Sequence, residues 1–125
     1  MKKIAYSPDF GAGWASWYSI HTSPDEERQA RLLMMTWPPL IEAIEAGDDL
    51  TKNDPAFSDR PDDWVPGHPA IQSLADEFKK HGWELPYWGG LRCMTVAEIP
   101  DGRQFQIHEY DGSESLVFAE RDDWY

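Results

Sequence analysis

Prolines stand at positions 8, 24, 38, 39, 55, 61, 66, 69, 86 and 100 and cut the chain into short segments. Proline lacks the N–H that a helix interior or a central strand needs, so each one opens, closes or kinks an element. Lys3 to Ser7 reads as a first strand closed by Pro8, with Trp14 and Trp17 opening a second short strand through Ile20. Ser23, Pro24, Asp25 and Glu26 form a helix start, with a serine cap, proline at the first helical position and a Ser-x-x-Glu box. Ala30, Leu33, Met34 and Trp37 then repeat at helical spacing, so this helix lays one apolar stripe on a core. Pro38 and Pro39 interrupt the ladder, and Leu40, Ile41 and Ile44 resume the pattern, as a kink or as a second helix capped by Thr36; Gly47 ends it. Pro69 opens another helix with Ile71, Leu74 and Phe78 on one face, Asp76 four residues before Lys80, and Gly82 as its stop.

The C-terminal third reads as β structure. Leu91 to Ile99 and Gln104 to Tyr110 are joined by a Pro100-Asp101-Gly102 turn, and Asp111-Gly112 returns the chain into Ser115 to Ala119. Phe105 and Ile107 alternate with Gln104, Gln106 and His108, giving one dry and one wet face. The prediction is an α+β fold: an antiparallel meander of three to five strands with two or three helices on one face. At 125 residues and 41% apolar, residues 1–125 form a single domain with one core. No internal repeat or low-complexity tract is present.

Charge is unevenly distributed. The total of 23 acids against 11 Lys and Arg gives a net −12. Residues 42–63 hold Glu42, Glu45, Asp48, Asp49, Asp54, Asp59, Asp62 and Asp63 against Lys52 and Arg60, a net −6. Residues 109–125 hold Glu109, Asp111, Glu114, Glu120, Asp122 and Asp123 against Arg121, a net −5, which leaves −1 for the rest. Direct nucleic-acid binding is disfavoured, because it depends on Lys and Arg neutralising phosphates. A basic protein surface is the better electrostatic match, against the plain alternative of an acidic protein that is well solvated. The stretch from Asp48 to Gly67 is acidic and proline-rich, so it reads as a long loop pinned by Phe57, Trp64 and Val65. No apolar run reaches the roughly 20 residues that span a bilayer. Met1-Lys2-Lys3-Ile4 is followed by a polar segment unlike a signal peptide, so a cytoplasmic protein is expected. Cys93, the sole cysteine, excludes an intramolecular disulfide and reads as a small buried hydrophobe in a strand.

Little in the chain points to covalent chemistry or to a cofactor. His21, His68, His81 and His108 are scattered, without metal-ligand spacing, so no metal is expected; His68 and His81 bracket a helix and read as capping or solvated. The strongest enzyme case uses His108, Glu109 and Asp111, with Asp9, as acid and base. Neighbours on a strand face opposite sides, however, and carboxylates beside a tight turn commonly accept backbone N–H bonds. A non-enzymatic protein is therefore expected.

Three segments pair glycine with aromatics: Gly11-Ala12-Gly13-Trp14 with Trp17-Tyr18, Tyr87-Trp88-Gly89-Gly90, and Glu109-Tyr110-Asp111-Gly112-Ser113-Glu114. Glycine permits close backbone approach, and Trp and Tyr carry large area with a polar rim. They suit either a core or a ligand surface. In the second case Trp14, Trp17, Tyr87, Trp88 and Tyr110 stack on a base, while Arg92 with the glycine N–H groups takes a phosphate. Within an acidic protein, Arg92 equally suits an internal ion pair.

The segments Phe10-Gly11-Ala12-Gly13-Trp14-Ala15-Ser16-Trp17, Gly89-Gly90-Leu91-Arg92, Phe105 to Glu114 and the late Asp123-Trp124-Tyr125 resemble a family of small hypothetical proteins carried by tailed bacteriophages. The resemblance covers both ends of the chain, about half its length, and not its proline-kinked, acidic middle. It implies a phage origin and a bacterial cytoplasm, and it carries no settled activity. Small acidic phage proteins often act by binding. The expectation is thus an inhibitor of a basic host or defence protein, such as an anti-CRISPR, acting through Glu42, Glu45, Asp48, Asp49, Asp54, Asp59, Asp62, Asp63, Glu114, Asp122 and Asp123. The alternative is a nucleotide- or small-ligand-sequestering protein built on the glycine–aromatic loops.

Overall fold

The computed structural model describes residues 2–8, 13–19, 23–51, 54–61, 64–110 and 113–118. The fold is α+β. Among these residues, strand β1 (Lys2–Tyr6) is followed by helices α1 (Pro24–Thr36), α2 (Pro38–Glu45) and α3 (Pro69–His81), then strands β2 (Thr95–Ile99), β3 (Phe105–Tyr110) and β4 (Ser113–Phe118). Short 3-10 turns lie at Ala15–Trp17, Phe57–Asp59 and Trp88–Cys93.

The helix boundaries follow the punctuation. Ser23 is extended, and its hydroxyl accepts the Glu26 N–H at 3.1 Å, as the capping box requires. Trp37 is also extended (ψ 112°), because the residue before a proline is driven out of the helical region. The Pro38-Pro39 break therefore makes two helices, and Trp37, not Thr36, stands at the start of α2. The Thr36 hydroxyl instead donates back to the Leu32 carbonyl at 2.7 Å. Gly47 (φ 77°) and Gly82 (φ 71°) end α2 and α3 in the left-handed conformation that glycine adopts without strain.

The strands differ from the expected meander. β2 pairs antiparallel with β1, from Lys2 opposite Ile99 to Tyr6 opposite Thr95. β3 pairs with β4, from Phe105 opposite Phe118 to Tyr110 opposite Ser113. The described strands thus form two ribbons of two strands each, not one sheet of three to five. The reason lies in the turn after β2. Arg103 N–H donates to the Pro100 carbonyl at 3.1 Å, with Gly102 at φ 78° in the third position, a type II pattern whose twist splays the flanking strands. The chain leaves β2 for a new ribbon instead of folding back on it. The Asp111-Gly112 turn itself lies outside the described residues.

Helices α1 and α2 pack on the β1–β2 ribbon, α3 packs on α2, and the 3-10 turn at 15–17 sits between α1 and β3. Ile4, Met34, Leu40, Leu74, Phe78 and Phe105 are fully buried where these elements meet. Ala15–Trp17 is a 3-10 turn where a second strand was expected; Ile20 lies outside the described residues. Cys93 is exposed at the end of another 3-10 turn, so it is not the buried strand residue that alternation suggested; β2 begins only at Thr95. The long loop is tied down by buried Leu50 and Pro66 and half-buried Trp64 and Val65. Of its expected anchors, the Phe57 side chain lies outside the described residues.

Tyr18 joins α3 to the segment after it. Its ring meets Phe78 edge-on at 5.4 Å, and its hydroxyl donates to the Glu84 carbonyl at 2.6 Å. Burial first, then the Glu84 and Glu27 carboxylates, push its phenol well above the usual tyrosine range. The unfolded chain releases this proton near pH 10. Above that pH the folded state binds more protons than the unfolded one, so stability falls as pH rises. Tyr18→Phe is expected to cost about 1 kcal/mol at neutral pH through the lost hydrogen bond. It should also flatten the stability loss above pH 10, measured by urea midpoints between pH 8 and 11.

Candidate functional site

The acidic residues of α2 reach solvent because the helix is amphipathic. Leu40, Ile41 and Ala43 turn to the core, while Glu42 and Glu45 lie on the exposed side. Past Gly47 the exposed Asp48 and Asp49 continue the same run. Each of three carboxylates is held in place by a neighbour. Lys3 Nζ donates to Glu45 at 2.9 and 3.2 Å, and this hydrogen bond and charge push the Lys3 ammonium above its ordinary value. Asp48 meets His68 Nε2 at 3.0 Å. Since His68 Nδ1 accepts the Ala70 N–H at 3.1 Å, Nε2 carries the ring proton and donates to Asp48. His68 is thus the cap of α3 that sequence suggested. Asp49 Oδ1 accepts from Thr51 N–H at 3.0 Å and from its hydroxyl at 2.9 Å, a local turn closure.

Asp54 is partly buried, which raises its carboxyl, with Arg60 opposing the shift. Arg60 lies over the Trp64 ring at 4.2 Å and donates through Nε to the Pro55 carbonyl at 3.2 Å. Asp59 is exposed on its 3-10 turn. Among the described residues of 42–59, Glu42, Glu45, Asp48, Asp49 and Asp59 are thus exposed, an acidic ribbon along the sequence. Asp62, Asp63, Asp122 and Asp123 lie outside the described residues.

Glu114 does not belong to that surface, although sequence placed it there. It is 1% exposed, and its carboxylate is enclosed by donors from the other end of the chain. Oε1 accepts Ser7 N–H at 2.8 Å; Oε2 accepts Trp14 N–H and Ser16 N–H at 2.9 Å each, and the Ser16 hydroxyl as well. Glu114 N–H also donates to the Ser7 carbonyl at 2.8 Å. This carboxylate satisfies backbone groups of the segment between β1 and α1, and it links the two ribbons. Its signal was present in the alternation: Glu114 shares a face with Leu116 and Phe118, opposite the side of Ser113 and Ser115.

The glycine–aromatic segments also turn inward. Trp14 is 1% and Trp88 8% exposed, and their rings lie 6.0 Å apart. The Trp14 indole N–H donates to the Met34 carbonyl and that of Trp88 to the Trp64 carbonyl, each at 3.2 Å. These two are core residues with satisfied donors, which removes them from a base-stacking surface. A Cβ on Gly90 would overlap the Gly13 carbonyl oxygen and lie 2.9 Å from its carbon, so this glycine serves a backbone crossing, not an anion cradle. Tyr87 and Tyr110 are 50% and 78% exposed, and Arg92 is exposed. The Trp17 side chain is outside the described set. The described candidates are therefore divided, Trp14 and Trp88 facing inward and Tyr87, Tyr110 and Arg92 facing solvent.

His108 and Glu109 are neighbours on β3 and project to opposite faces; Asp111 and Asp9 lie outside the described residues. Among the described residues no group of three His, Cys, Asp or Glu is placed to hold a metal, and no helix is long and apolar enough to cross a membrane. No protein-family model, curated protein or solved structure matches the chain.

Proposed function

We propose that the protein works by binding: the acidic ribbon along residues 42–59 engages a basic protein surface, and the binding inhibits a host or defence factor in a bacterial cytoplasm. The observation that carries this reading is the exposure of Glu42, Glu45, Asp48 and Asp49 on one end of α2 and the segment after it. Three of the four, Glu45, Asp48 and Asp49, are pre-positioned by Lys3, His68 and Thr51, so less rotamer freedom is lost when a partner arrives. A groove of about 510 Å³ lies beside Glu42 and Glu45, lined also by Lys2, Lys3, Leu32, Thr36, Pro38 and Ile41. The resemblance to small tailed-phage proteins supports the anti-defence role and, with it, a non-enzymatic mode of action. Nucleotide sequestration by the aromatic loops is the second reading; of its residues Trp14 and Trp88 are internal, while Tyr87, Tyr110 and Arg92 are exposed.

The test is a variant carrying Glu42→Gln, Asp49→Asn and Asp59→Asn. All three positions are exposed, so the melting temperature should change by no more than about 2 °C. Capture from bacterial lysate should retain a basic protein on the wild type at low salt, lose it near 0.5 M salt, and lose it with the variant at all salts. Equal capture by the variant would overturn the assignment.

A further inference from the structure

We infer that a pocket between α1, the 3-10 turn at 15–17 and β3 is a binding site for a small oxyanion, a carboxylate or a phosphate. The pocket has a volume of about 200 Å³ and is lined by Arg28, Arg31 and Glu27 of α1, Ala15 and Ser16 of the turn, Gln106 and Ile107 of β3, and Met35 at its base. It does not rest on the acidic-ribbon reading and lies on other residues.

Three features make it a site. The first is positive charge: a chain with 23 acids places two arginines on one small cavity, three residues apart on one helix, where i and i+3 side chains are neighbours. The second is a fixed guanidinium. Arg31 Nε donates to the Tyr18 carbonyl at 2.8 Å, which holds the guanidinium plane, and Nη2 pairs with Glu27 at 3.9 Å, a charge contact too long for a hydrogen bond. A planar fork held in this way suits the two oxygens of a carboxylate or phosphate. The third is the mixture of walls. Met35 and Ala15 are buried and Ile107 half-buried, and Gln106 offers an amide donor. An apolar base with a few convergent polar groups is the general character of small-molecule sites.

At about 200 Å³ and open to solvent on one side, the pocket has room for a phosphate or a short carboxylic acid. Exposed charges beyond ~8 Å are largely screened at physiological salt; within contact range the two arginines outnumber the one carboxylate of the pocket wall, Glu27, while Glu114 lies behind Ser16 with its oxygens taken up by N–H and hydroxyl donors.

The experiment titrates the intact protein with inorganic phosphate and, separately, with isobutyrate, each against chloride at equal ionic strength, reading backbone amide NMR shifts and melting temperature. Shifts confined to residues 15–19, 27–35 and 105–107, with saturation by either probe, support the site. Saturation by isobutyrate alone identifies a carboxylate pocket, and by phosphate alone a phosphate pocket. Arg28→Gln, at the exposed rim, should keep the wild-type amide spectrum away from the pocket and weaken binding about tenfold or more. Arg31→Lys keeps the charge without the fork and should weaken binding similarly. The inference fails if neither probe moves these amides beyond the chloride control, or if Arg28→Gln binds both probes as well as the wild type.

Discussion

Glu114→Ala should remove most of the stability of this protein, although conservative reading of a glutamate in a hairpin would rank it among the mildest changes. The substitution strands the N–H groups of Ser7, Trp14 and Ser16 and the Ser16 hydroxyl, all of which now converge on one carboxylate. Leaving a buried donor without a partner costs about 1–3 kcal/mol, so three backbone donors bring the loss to roughly 3–6 kcal/mol after relaxation and water entry. Against a usual total of about 5–15 kcal/mol, that is enough to unfold a sizeable fraction of molecules at 37 °C. Glu114→Gln keeps the shape but turns an amide N–H₂ toward N–H donors, so an intermediate loss of about 2 kcal/mol is expected. Urea unfolding followed by tryptophan fluorescence measures both. A Glu114→Ala variant as stable as the wild type would mean that this carboxylate is not the clasp described.

Gly90→Ala is the second large effect. An added methyl would overlap the Gly13 carbonyl oxygen and sit 2.9 Å from its carbon and 3.3 Å from Trp14 N, all backbone atoms with no flexible side chain to yield. The two segments must separate, and with them the Trp14–Trp88 contact at the core. Overpacking typically costs about 1–3 kcal/mol, and a backbone clash belongs at the top of that range. For a domain of this size, about 3 kcal/mol lowers the melting temperature by roughly 10 °C, measurable by calorimetry. Gly47, with nothing near its missing side chain, offers a contrast: alanine there is opposed by φ 77° alone. Its loss should be nearer 1 kcal/mol.

The local grammar of the chain was legible because local physics decides it. Ser23 caps, Pro38 and Pro39 break, His68 caps and Gly82 stops, each through bonds within a few residues. Alternation also placed Phe105 in the core and His108 in solvent. Strand partnership was not legible, since the antiparallel neighbour of β2 lies some ninety residues earlier and the Pro100-Asp101-Gly102 turn mimics a hairpin connection. Cys93 was misplaced for a related reason: the pattern of Leu91 to Ile99 does not reveal that Gly90 crosses Gly13 and holds the first half in a 3-10 turn. At the site, Asp48 and Glu45 were visible as charge, but their partners His68 and Lys3 come from distant positions. Arg31 drew no notice because its helix reads as an ordinary amphipathic one, and only the turn at 15–17 makes a pocket of it.

The clasp between Ser7 and Glu114 spans a sequence separation of 107 residues. A ribosome must therefore deliver Glu114 before the amides at positions 7, 14 and 16 find their acceptor, and Trp14 cannot settle under α1 until then. Synthesis of this chain should leave the segment before α1 protease-sensitive while α1 to α3 already hold together, with resistance arriving in one late step as the final ribbon supplies Glu114.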